Sequence, residues 1–585
     1  MQVLQSSIQP GKMIPNIAQL LQRNVKMFGD HIVYREKRND KYENITWNKL
    51  FSDILNIAYN LKSHGFSEGD KMVIFSPNRQ EMLELELAVM ASGGIAIPIF
   101  AYFQQETAEL LIKHSDARFL AVGGELQLSR LSDNLELKHI FVFDDNCKKH
   151  FVNQHPFKVL LAGNSDENIH LNTNALPDEI CLCMYTSGTM GTPKCVQLMH
   201  KNILSQQAAL SQIWSLNKYD RFLSYLPWHH SFGGIFELFT ALYNGATISL
   251  ESGYGKDPKT IFENWKSVQP TVFFSVPKVY QALIDLTQHD KEAEDLFFHT
   301  QLKFVFTAAS ALPKNLSDIF ESRRIPVIEG WGLTETSPCC TLTDPDKKRE
   351  QGVVGNPIPG VAIRIGEEGE IQVKGPNVMK GYYKNDEANI GIFTEDGWFC
   401  TGDVGEITEN GLKLISRKDR IFKLSNGEKV VPSDLEKLIE MKCHYISFAM
   451  VVGSGKDYPV AILFPNKKML ERPNYQVTPL EGCFCPRSLE ELGRCLHGCL
   501  HDANCGIGQK FAQIRAAMII DDELSLEKGT LTPSMKVAPK SVASTYKAHV
   551  QNLYGDDSPV DEEIYIIRLD QLKDTVGKIF STQNV

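Results

Sequence analysis

Short apolar runs alternate with longer amphipathic stretches over the N-terminal part of the chain. The runs at residues 72–75, 120–122 and 140–143 have the length and composition of buried strands, and helical patterns lie between them. A strand, a helix and a second strand form the repeating unit of a parallel sheet. The pattern therefore predicts an α/β fold in which parallel sheets are covered by helices.

The pattern changes between residues 360 and 415. Short apolar runs at 362–365, 370–373 and 412–415 are separated by turns that contain glycine, which predicts a small β-rich lobe. A polar junction, Arg-Lys-Asp-Arg, follows, and a smaller mixed region begins near Ile421. We predict a large N-terminal domain over residues 1–418, a small α+β C-terminal domain over 419–555 and a C-terminal extension of unknown role over 556–585.

Length and charge narrow the class of protein. A chain of 585 residues exceeds one hydrophobic core, and 43% hydrophobic residues suffice to fill at least two. The formal net charge is −10 without a long basic run, so we expect no nucleic acid partner. Residues 1–15 lack the basic and apolar regions of a signal peptide, which predicts a cytoplasmic protein.

The most apolar stretch, residues 87–103, is the candidate for a membrane span. It contains Gly93, Gly94 and Pro98, and Glu84 and Glu86 precede it. These residues disfavour a continuous apolar helix. We predict a buried helix, a turn and a strand here, and no transmembrane segment.

The chain has 13 cysteines and no secretion features, so we expect most of them to be reduced thiols in the core. One group raises the alternative of a metal site, although its spacing matches no established metal pattern. Leucines recur at helical spacing over residues 489–504, which predicts an amphipathic helix and favours packing. The group consists of Cys483, Cys485, Cys495, Cys499 and Cys505, with His497 and His501.

The segment Tyr-Thr-Ser-Gly-Thr-Met-Gly-Thr-Pro-Lys at residues 185–194 has the composition of a phosphate-binding loop. Gly188 and Gly191 allow close backbone approaches, so successive N–H groups can form an anion-binding nest. Lys194 adds a positive charge. The spacing differs from the Walker A pattern, in which Ser or Thr directly follows Gly-Lys. The segment predicts a polyphosphate site; taken alone, it is also compatible with a flexible surface turn.

Five further motifs follow in order along the chain. They are Phe-Thr-Ala-Ala-Ser-Ala-Leu-Pro at 306–313, Glu-Gly-Trp-Gly-Leu-Thr-Glu-Thr at 329–336, Thr-Gly-Asp at 401–403, Ser-Arg-Lys-Asp-Arg at 416–420 and Leu-Thr-Pro-Ser-Met-Lys at 531–536. Together with the segment at 185–194, they resemble the adenylate-forming (AMP-binding) superfamily. The resemblance covers residues from about 15 to about 554 and is greatest to the long-chain fatty acyl-CoA synthetases. It implies the superfamily's two-domain α/β fold.

Adenylation joins a carboxylate to the α-phosphate of ATP and expels pyrophosphate, so two anions must be brought together. The resemblance places Thr334 on a phosphate oxygen and makes Glu335 a ligand of Mg²⁺, which prefers carboxylate and phosphate oxygens. It places the loop at 186–194 around the β- and γ-phosphates. The resemblance implies nucleotide-binding residues in this loop and in the motif at 306–313. They are Thr186, Ser187, Gly188, Thr189, Thr192, Lys194 and Ser310.

The resemblance also implies which residues bind the nucleoside and the acid. Trp331 stands where the family commonly has tyrosine; it retains a face for stacking on adenine and loses the hydroxyl. Asp403 resembles the ribose-binding acid, which Arg417 assists. His230 aligns with a residue near the substrate carboxylate, and the alternative for it is a hydrogen-bonded core histidine. The paired glycines that follow leave room for a chain or a ring.

Three residues of the C-terminal part complete the implied machinery. Lys536 resembles the lysine that bridges the carboxylate and the α-phosphate during adenylation. Asp419 fits the hinge about which the family's small domain swings. Gly427 fits the loop beside the pantetheine tunnel, and as a bare Asn-Gly it would be a tight turn.

The motifs predict an ATP- and Mg²⁺-dependent ligase that forms an acyl-adenylate from a medium or long-chain fatty acid and transfers the acyl group to coenzyme A. The alternatives are a feruloyl-type aryl-acid CoA ligase and a ligase that loads a carrier-protein pantetheine. A non-catalytic nucleotide-binding regulator is a third alternative from another class. Because long acyl chains reside in membranes, peripheral membrane contact is compatible with the main interpretation.

Overall fold

The computed structural model describes residues 2–163, 170–186, 194–288, 290–308, 312–443, 445–466, 486, 488–522, 524–525, 528–531, 537–555 and 564–569. The described chain divides into two compact units. The first unit contains the residues up to Thr401 together with Glu406–Lys413, and the second contains Gly402–Gly405 and the residues from Leu414 onward.

The larger sheet of the first unit has a parallel centre and antiparallel flanks. Val272–Ser275 and Phe304–Thr307 pair in parallel, and every residue of both strands is buried, which is typical of a sheet covered on both faces. In spatial order, the 14 strands found in the described chain are Val3–Gln5, Ala362–Ile365, Glu370–Lys374, Phe399–Thr408, Gly411–Arg417, Val353–Pro357, Thr341–Leu342, Val327–Trp331, Phe304–Thr307, Val272–Ser275, Arg221–Ser224, Thr247–Leu250, Ile32–Arg38 and Lys41–Thr46.

The second sheet of this unit contains the three strands predicted from the N-terminal apolar runs, and they pair in parallel. The predicted β-rich lobe is also confirmed, since Ala362–Ile365 and Glu370–Lys374 of the larger sheet form an antiparallel pair. The eight strands of the second sheet, in spatial order, are Gly381–Tyr382, Lys194–Met199, Ile180–Thr186, Ile95–Ile99, Lys71–Phe75, Phe119–Val122, His139–Val142 and Gln154–Pro156.

Helices connect the strands, and the predicted fold class is confirmed. The apolar stretch at 87–103 is a helix end, a turn and a strand, as predicted, and Glu84 and Glu86 are buried in that helix. None of the described helices combines the length and apolar character needed to cross a bilayer. The helical segments of the first unit are Ile17–Phe28, Trp47–Ser63, Gln80–Ala91, Gln105–Ser115, Glu125–Leu128, Lys158–Leu161, His200–Leu210, Phe232–Glu237, Leu238–Tyr243, Pro258–Val268, Pro277–Thr287, Lys291–Phe297, Lys314–Ser322, Thr334–Thr336, Glu367–Gly369 and Asp386–Asn389.

The described part of the second unit contains a four-stranded sheet packed with helices. The predicted amphipathic helix is present as Leu489–Cys505, and it begins there because the Ser488 hydroxyl accepts a hydrogen bond from the N–H of Glu491. Ile564–Arg568, within the predicted C-terminal extension, pairs with Ala516–Ile520 as an edge strand. The remaining elements are Phe422–Lys423, Lys429–Val430, Pro432–Lys442, Ile446–Val452, Val460–Pro465, Lys510–Ala512, Pro539–Thr545 and Lys547–Asn552.

The described cysteines are all free thiols, and most of them are buried. Cys495 and Cys499 lie on the helix Leu489–Cys505, while Cys483 and Cys485 lie outside the described residues. Within the described ranges, no group of three His, Cys, Asp or Glu side chains is arranged to hold a metal ion.

Candidate active site

The two ends of the predicted phosphate loop are held together by an antiparallel hairpin. Thr186 ends one strand, Lys194 begins the next, and the two residues are directly opposite each other. The Thr186 hydroxyl donates to the Lys194 carbonyl oxygen over 3.5 Å. The predicted site residues between them, Ser187, Gly188, Thr189 and Thr192, lie outside the described residues.

Thr334 and Glu335 lie in a short 3₁₀ turn that begins two residues after the end of the strand Val327–Trp331. The Thr334 hydroxyl oxygen is 3.0 Å from the hydroxyl oxygen of Ser231. Oε1 of Glu335 accepts a hydrogen bond of 2.8 Å from the hydroxyl of Tyr382. Lys194 joins this group, because its ammonium lies 4.8 Å from the centroid of the Tyr382 ring. The structure thus brings Lys194 and Glu335 together at Tyr382, a tyrosine that the sequence analysis did not single out, and Thr334 precedes Glu335 in the same turn.

His230 precedes Ser231, the residue whose hydroxyl contacts Thr334. Its own backbone is held in a turn, since its N–H donates to the Pro227 carbonyl oxygen over 3.1 Å. Its Nδ1 accepts from the N–H of Phe232 over 3.3 Å. The adjacent His229 is electrically neutral at physiological pH, because burial and the nearby His230 lower its pKa to about 3.

The paired glycines after His230 have a different role from the one predicted. A Cβ on Gly234 would lie 1.9 Å from the Trp228 carbonyl oxygen, and one on Gly233 would lie 2.6 Å from the Pro227 carbonyl oxygen. The space beside them is therefore filled by the protein's own backbone. The expectation that these glycines leave room for substrate is wrong; they permit the close packing that begins the π-helix Phe232–Glu237.

Trp331 is the last residue of its strand and is only 7% exposed. It is paired with Thr341, and its carbonyl oxygen accepts from the Cys340 N–H over 2.8 Å. Its stacking on adenine stays a prediction. Ser310 lies outside the described residues, but the N–H of Leu312, two positions later, donates to the buried Glu329 carboxylate over 2.6 Å.

Buried amide side chains hold the turn that carries Thr334 and Glu335. The Asn377 amide donates to the carbonyl oxygens of Thr336 and Cys339, at 3.0 and 3.2 Å. The Asn202 amide donates over 2.8 Å to the carbonyl oxygens of residues 376 and 378, on either side of Asn377. Sequence reasoning missed both asparagines. The only signal was the Gly-Pro-Asn turn at 375–377, which carries no chemistry of its own.

Replacing Gly332 with alanine should destabilise the first unit. The new Cβ would lie 1.6 Å from the Pro338 carbonyl oxygen, so the turn would have to shift. We expect a loss of about 1–3 kcal/mol, measured as a lower thermal unfolding midpoint. Gly163→Ala is the matched control, because no atom of the residues that the structure describes lies within 4 Å of its added Cβ. Equal midpoints for the two variants would contradict this packing account.

The predicted ribose-binding pair is formed within the second unit. Nη1 of Arg417 is 2.9 Å from Oδ1 of Asp403, and the two residues lie on the strands Gly411–Arg417 and Phe399–Thr408. Gly402 has a φ of 71°, and a Cβ there would lie 3.0 Å from the guanidinium. The glycine of the Thr-Gly-Asp motif is therefore needed for the backbone conformation beside the pair.

The remaining predicted residues also belong to the second unit. Asp419 lies 3.6 Å from Nε of Arg417 and 4.0 Å from the ammonium of Lys540. Gly427, with a φ of 85°, forms the turn between Phe422–Lys423 and Lys429–Val430, and a Cβ added to it would meet no described atom within 4 Å. Lys536 lies outside the described residues.

Comparison with known families agrees with these motifs. The AMP-binding enzyme family matches residues 21–383, and the AMP-binding enzyme C-terminal domain matches residues 419–558. Because the first match alone covers more than half of the chain, the protein belongs to the AMP-binding enzymes, the adenylate-forming superfamily predicted from the motifs.

Relatives with assigned activities cover nearly the whole chain. The long-chain-fatty-acid–CoA ligase FadD15 of Mycobacterium bovis is 24% identical over 93% of this chain and 97% of its own. The chloroplastic long-chain-fatty-acid acyl-carrier-protein ligase AEE15 of Arabidopsis thaliana is 25% identical, over 93% of this chain and 87% of its own. The o-succinylbenzoate coenzyme A synthetase of Bacillus subtilis, solved with ATP and a magnesium ion, has the same fold, with a TM-score of 0.71, 21% identity, and coverage of 90% of this chain and 99% of that one.

Proposed function

We propose that this protein is an ATP- and Mg²⁺-dependent acyl-CoA synthetase. It activates a medium or long-chain fatty acid as acyl-AMP, releases pyrophosphate, and transfers the acyl group to coenzyme A. The observation that carries the proposal is the contact of Tyr382 with both Lys194 and Glu335, beside Thr334 in the same turn as Glu335, in a chain of the AMP-binding family.

The donor set of this cluster suits a magnesium–polyphosphate group. Glu335 provides a carboxylate oxygen and Thr334 a hydroxyl, and both are hard oxygen donors of the kind that Mg²⁺ takes together with phosphate oxygens. Glu335 would hold the ion, and Lys194 would bind a terminal phosphate. When bound, Mg²⁺ neutralises charge on the phosphates and so favours the departure of pyrophosphate.

Adenylation then depends on residues that orient the acid and the nucleoside. Asp403 would accept hydrogen bonds from the two ribose hydroxyls, with Arg417 holding its carboxylate in place. Trp331 would stack on adenine, and His230 would lie near the acid. The ammonium of Lys536 would lie between the carboxylate and the α-phosphate, where it would offset the charge that accumulates during attack.

Thioester formation needs coenzyme A in the place that Lys536 takes during adenylation. We propose that the chain turns at Asp419, which removes the lysine and admits coenzyme A. Gly427 would then lie beside the pantetheine arm. Asp419→Pro should slow thioester formation about tenfold while changing adenylation much less, because proline fixes φ at the hinge. The two half-reactions are measured separately by rapid quench.

Asp419→Ala is the control for this substitution. It removes the same ion pairs with Arg417 and Lys540 but leaves the backbone free to rotate. We expect it to partition between the two half-reactions as the wild type does. Equal slowing of both half-reactions in the proline variant would count against a hinge at this residue.

Mass spectrometry of the reaction products tests the proposed function. The purified protein is incubated with ATP, Mg²⁺, coenzyme A and a pooled panel of fatty and aryl acids. Fatty acyl-CoA is the expected product, and its chain length would define the substrate. Acyl-adenylates without thioester would instead favour a carrier-protein acceptor, as in the AEE15 ligase. Aryl-CoA alone would favour the feruloyl-type alternative, and no product would favour a non-catalytic role.

A further inference from the structure

Tyr382 lies between two side chains that the proposed function assigns to the polyphosphate end of ATP. Its hydroxyl donates to Oε1 of Glu335 over 2.8 Å, and the Lys194 ammonium lies 4.8 Å from its ring centroid. Tyr382 is only 6% exposed. A single buried aromatic residue therefore contacts both the predicted metal ligand and the predicted phosphate-binding cation.

The backbone of Tyr382 is held at several points. It pairs with Val196 of the strand that begins at Lys194. Its N–H donates to Oδ1 of Asn389 over 2.8 Å, and the Asn389 amide donates back to the Tyr382 carbonyl oxygen over 2.8 Å. The same segment holds the backbone of Glu335, because the N–H of Met379 donates to the Glu335 carbonyl oxygen over 2.8 Å. The backbone contacts therefore fix the position of the Tyr382 hydroxyl relative to the Glu335 carboxylate.

The hydrogen bond from the phenol fixes the orientation of the Glu335 carboxylate. It uses one of about four lone-pair sites of that group, so a cation can still be held by the carboxylate. Mg²⁺ favours near-octahedral coordination by single oxygens, which suits a carboxylate held in one orientation. Hydrogen bonds from outside the coordination sphere commonly fix such ligands.

We propose that Tyr382 is a positioning residue with two separable contacts. Its hydroxyl orients Glu335 toward the magnesium of MgATP, and its ring holds Lys194 toward the phosphates by a cation–π contact. This inference rests on the proposed function, since both partners have their roles through it. It adds a residue that is neither a phosphate ligand nor a metal ligand itself.

Two substitutions separate the contacts. Tyr382→Phe removes the hydroxyl and keeps the ring, while Tyr382→Leu removes both. Tyr383→Phe is the matched control, because it removes the hydroxyl of the adjacent tyrosine, whose partners are Lys71 and Asp116. Thermal unfolding of each variant shows whether the fold is retained.

Isothermal titration calorimetry measures the affinity for ATP, with Mg²⁺ or with EDTA. It tests both contacts without relying on turnover. We expect Tyr382→Phe to bind MgATP about tenfold more weakly than the wild type, with unchanged affinity for ATP in EDTA. Tyr382→Leu should lose a further factor of about two to five in both conditions, because Lys194 is no longer held. Tyr383→Phe should match the wild type in both conditions.

The inference is overturned if Tyr382→Phe retains wild-type affinity for MgATP, or if it loses equal affinity with and without Mg²⁺. Either result would be obtained with a wild type that binds MgATP, so the proposed function would stand. A wild type whose ATP affinity does not depend on Mg²⁺ would overturn the metal role of Glu335, and the inference with it.

Discussion

Glu335→Gln is expected to slow acyl-adenylate formation about 100-fold or more. Glutamine keeps the shape of the side chain, and its carbonyl oxygen can still accept the hydrogen bond from Tyr382. It lacks the negative charge that a hard cation requires of its ligand. The large effect is therefore expected from lost charge, with little change in structure. The rate is measured as acid-dependent exchange of pyrophosphate into ATP over a range of Mg²⁺ concentrations.

The control for this variant is Glu367→Gln, which neutralises an exposed glutamate in the β-rich lobe. It should exchange pyrophosphate at the wild-type rate and with the wild-type response to Mg²⁺. If Glu335→Gln shows the same Mg²⁺ response as this control, Glu335 does not hold the metal.

Lys536→Ala is expected to have the second large effect. It should slow one half-reaction and leave the other unchanged. Adenylate formation should fall about 100- to 1,000-fold, because an ammonium between the carboxylate and the α-phosphate offsets charge that develops only as they approach. Thioester formation from a supplied acyl-adenylate should be retained, since in the proposed mechanism coenzyme A enters after this lysine has left. Both rates are measured by quenched-flow with mass-spectrometric detection.

Lys528→Ala serves as the control for Lys536→Ala. Lys528 is paired with Asp522 and its side chain is 51% exposed, so its loss should leave both half-reactions unchanged. Parallel loss of adenylate and thioester formation in Lys536→Ala would contradict the assigned role. In that case Lys536 would stabilise the second unit, or it would act equally in both half-reactions.

Local sequence patterns predicted the elements well, for physical reasons. The helix predicted over 489–504 is observed as Leu489–Cys505, because a leucine stripe and an N-terminal serine specify the face and the start of a helix. The strand predicted at 72–75 is observed as Lys71–Phe75, since a short apolar run suits a strand buried on both faces. Such signals lie within one element.

The supporting contacts of the site could not be predicted in the same way. Tyr382 meets Glu335 across 47 positions of the chain, and the Asn202 amide reaches the 376–378 turn across 174 or more. Tyrosine and asparagine are ordinary residues in strands and turns, so neither stands out in the sequence. The motifs supplied the residues with unusual chemistry, whereas only the fold reveals which ordinary residues hold them.

The glycines illustrate a second limit. Gly233 and Gly234 suggested open space in the sequence, but backbone carbonyl oxygens of residues 227 and 228 fill that space. A glycine marks a place where a Cβ is excluded, and the excluding group is equally well a ligand or the protein's own backbone.

Exchange of labelled pyrophosphate into ATP, in the absence of coenzyme A, tests the central claim most directly. Reversible formation of an acyl-adenylate predicts exchange that depends on a fatty acid and on Mg²⁺ and that needs no thiol. Exchange that fails with every fatty and aryl acid in the panel, or release of ADP in place of pyrophosphate, would contradict the proposed activity.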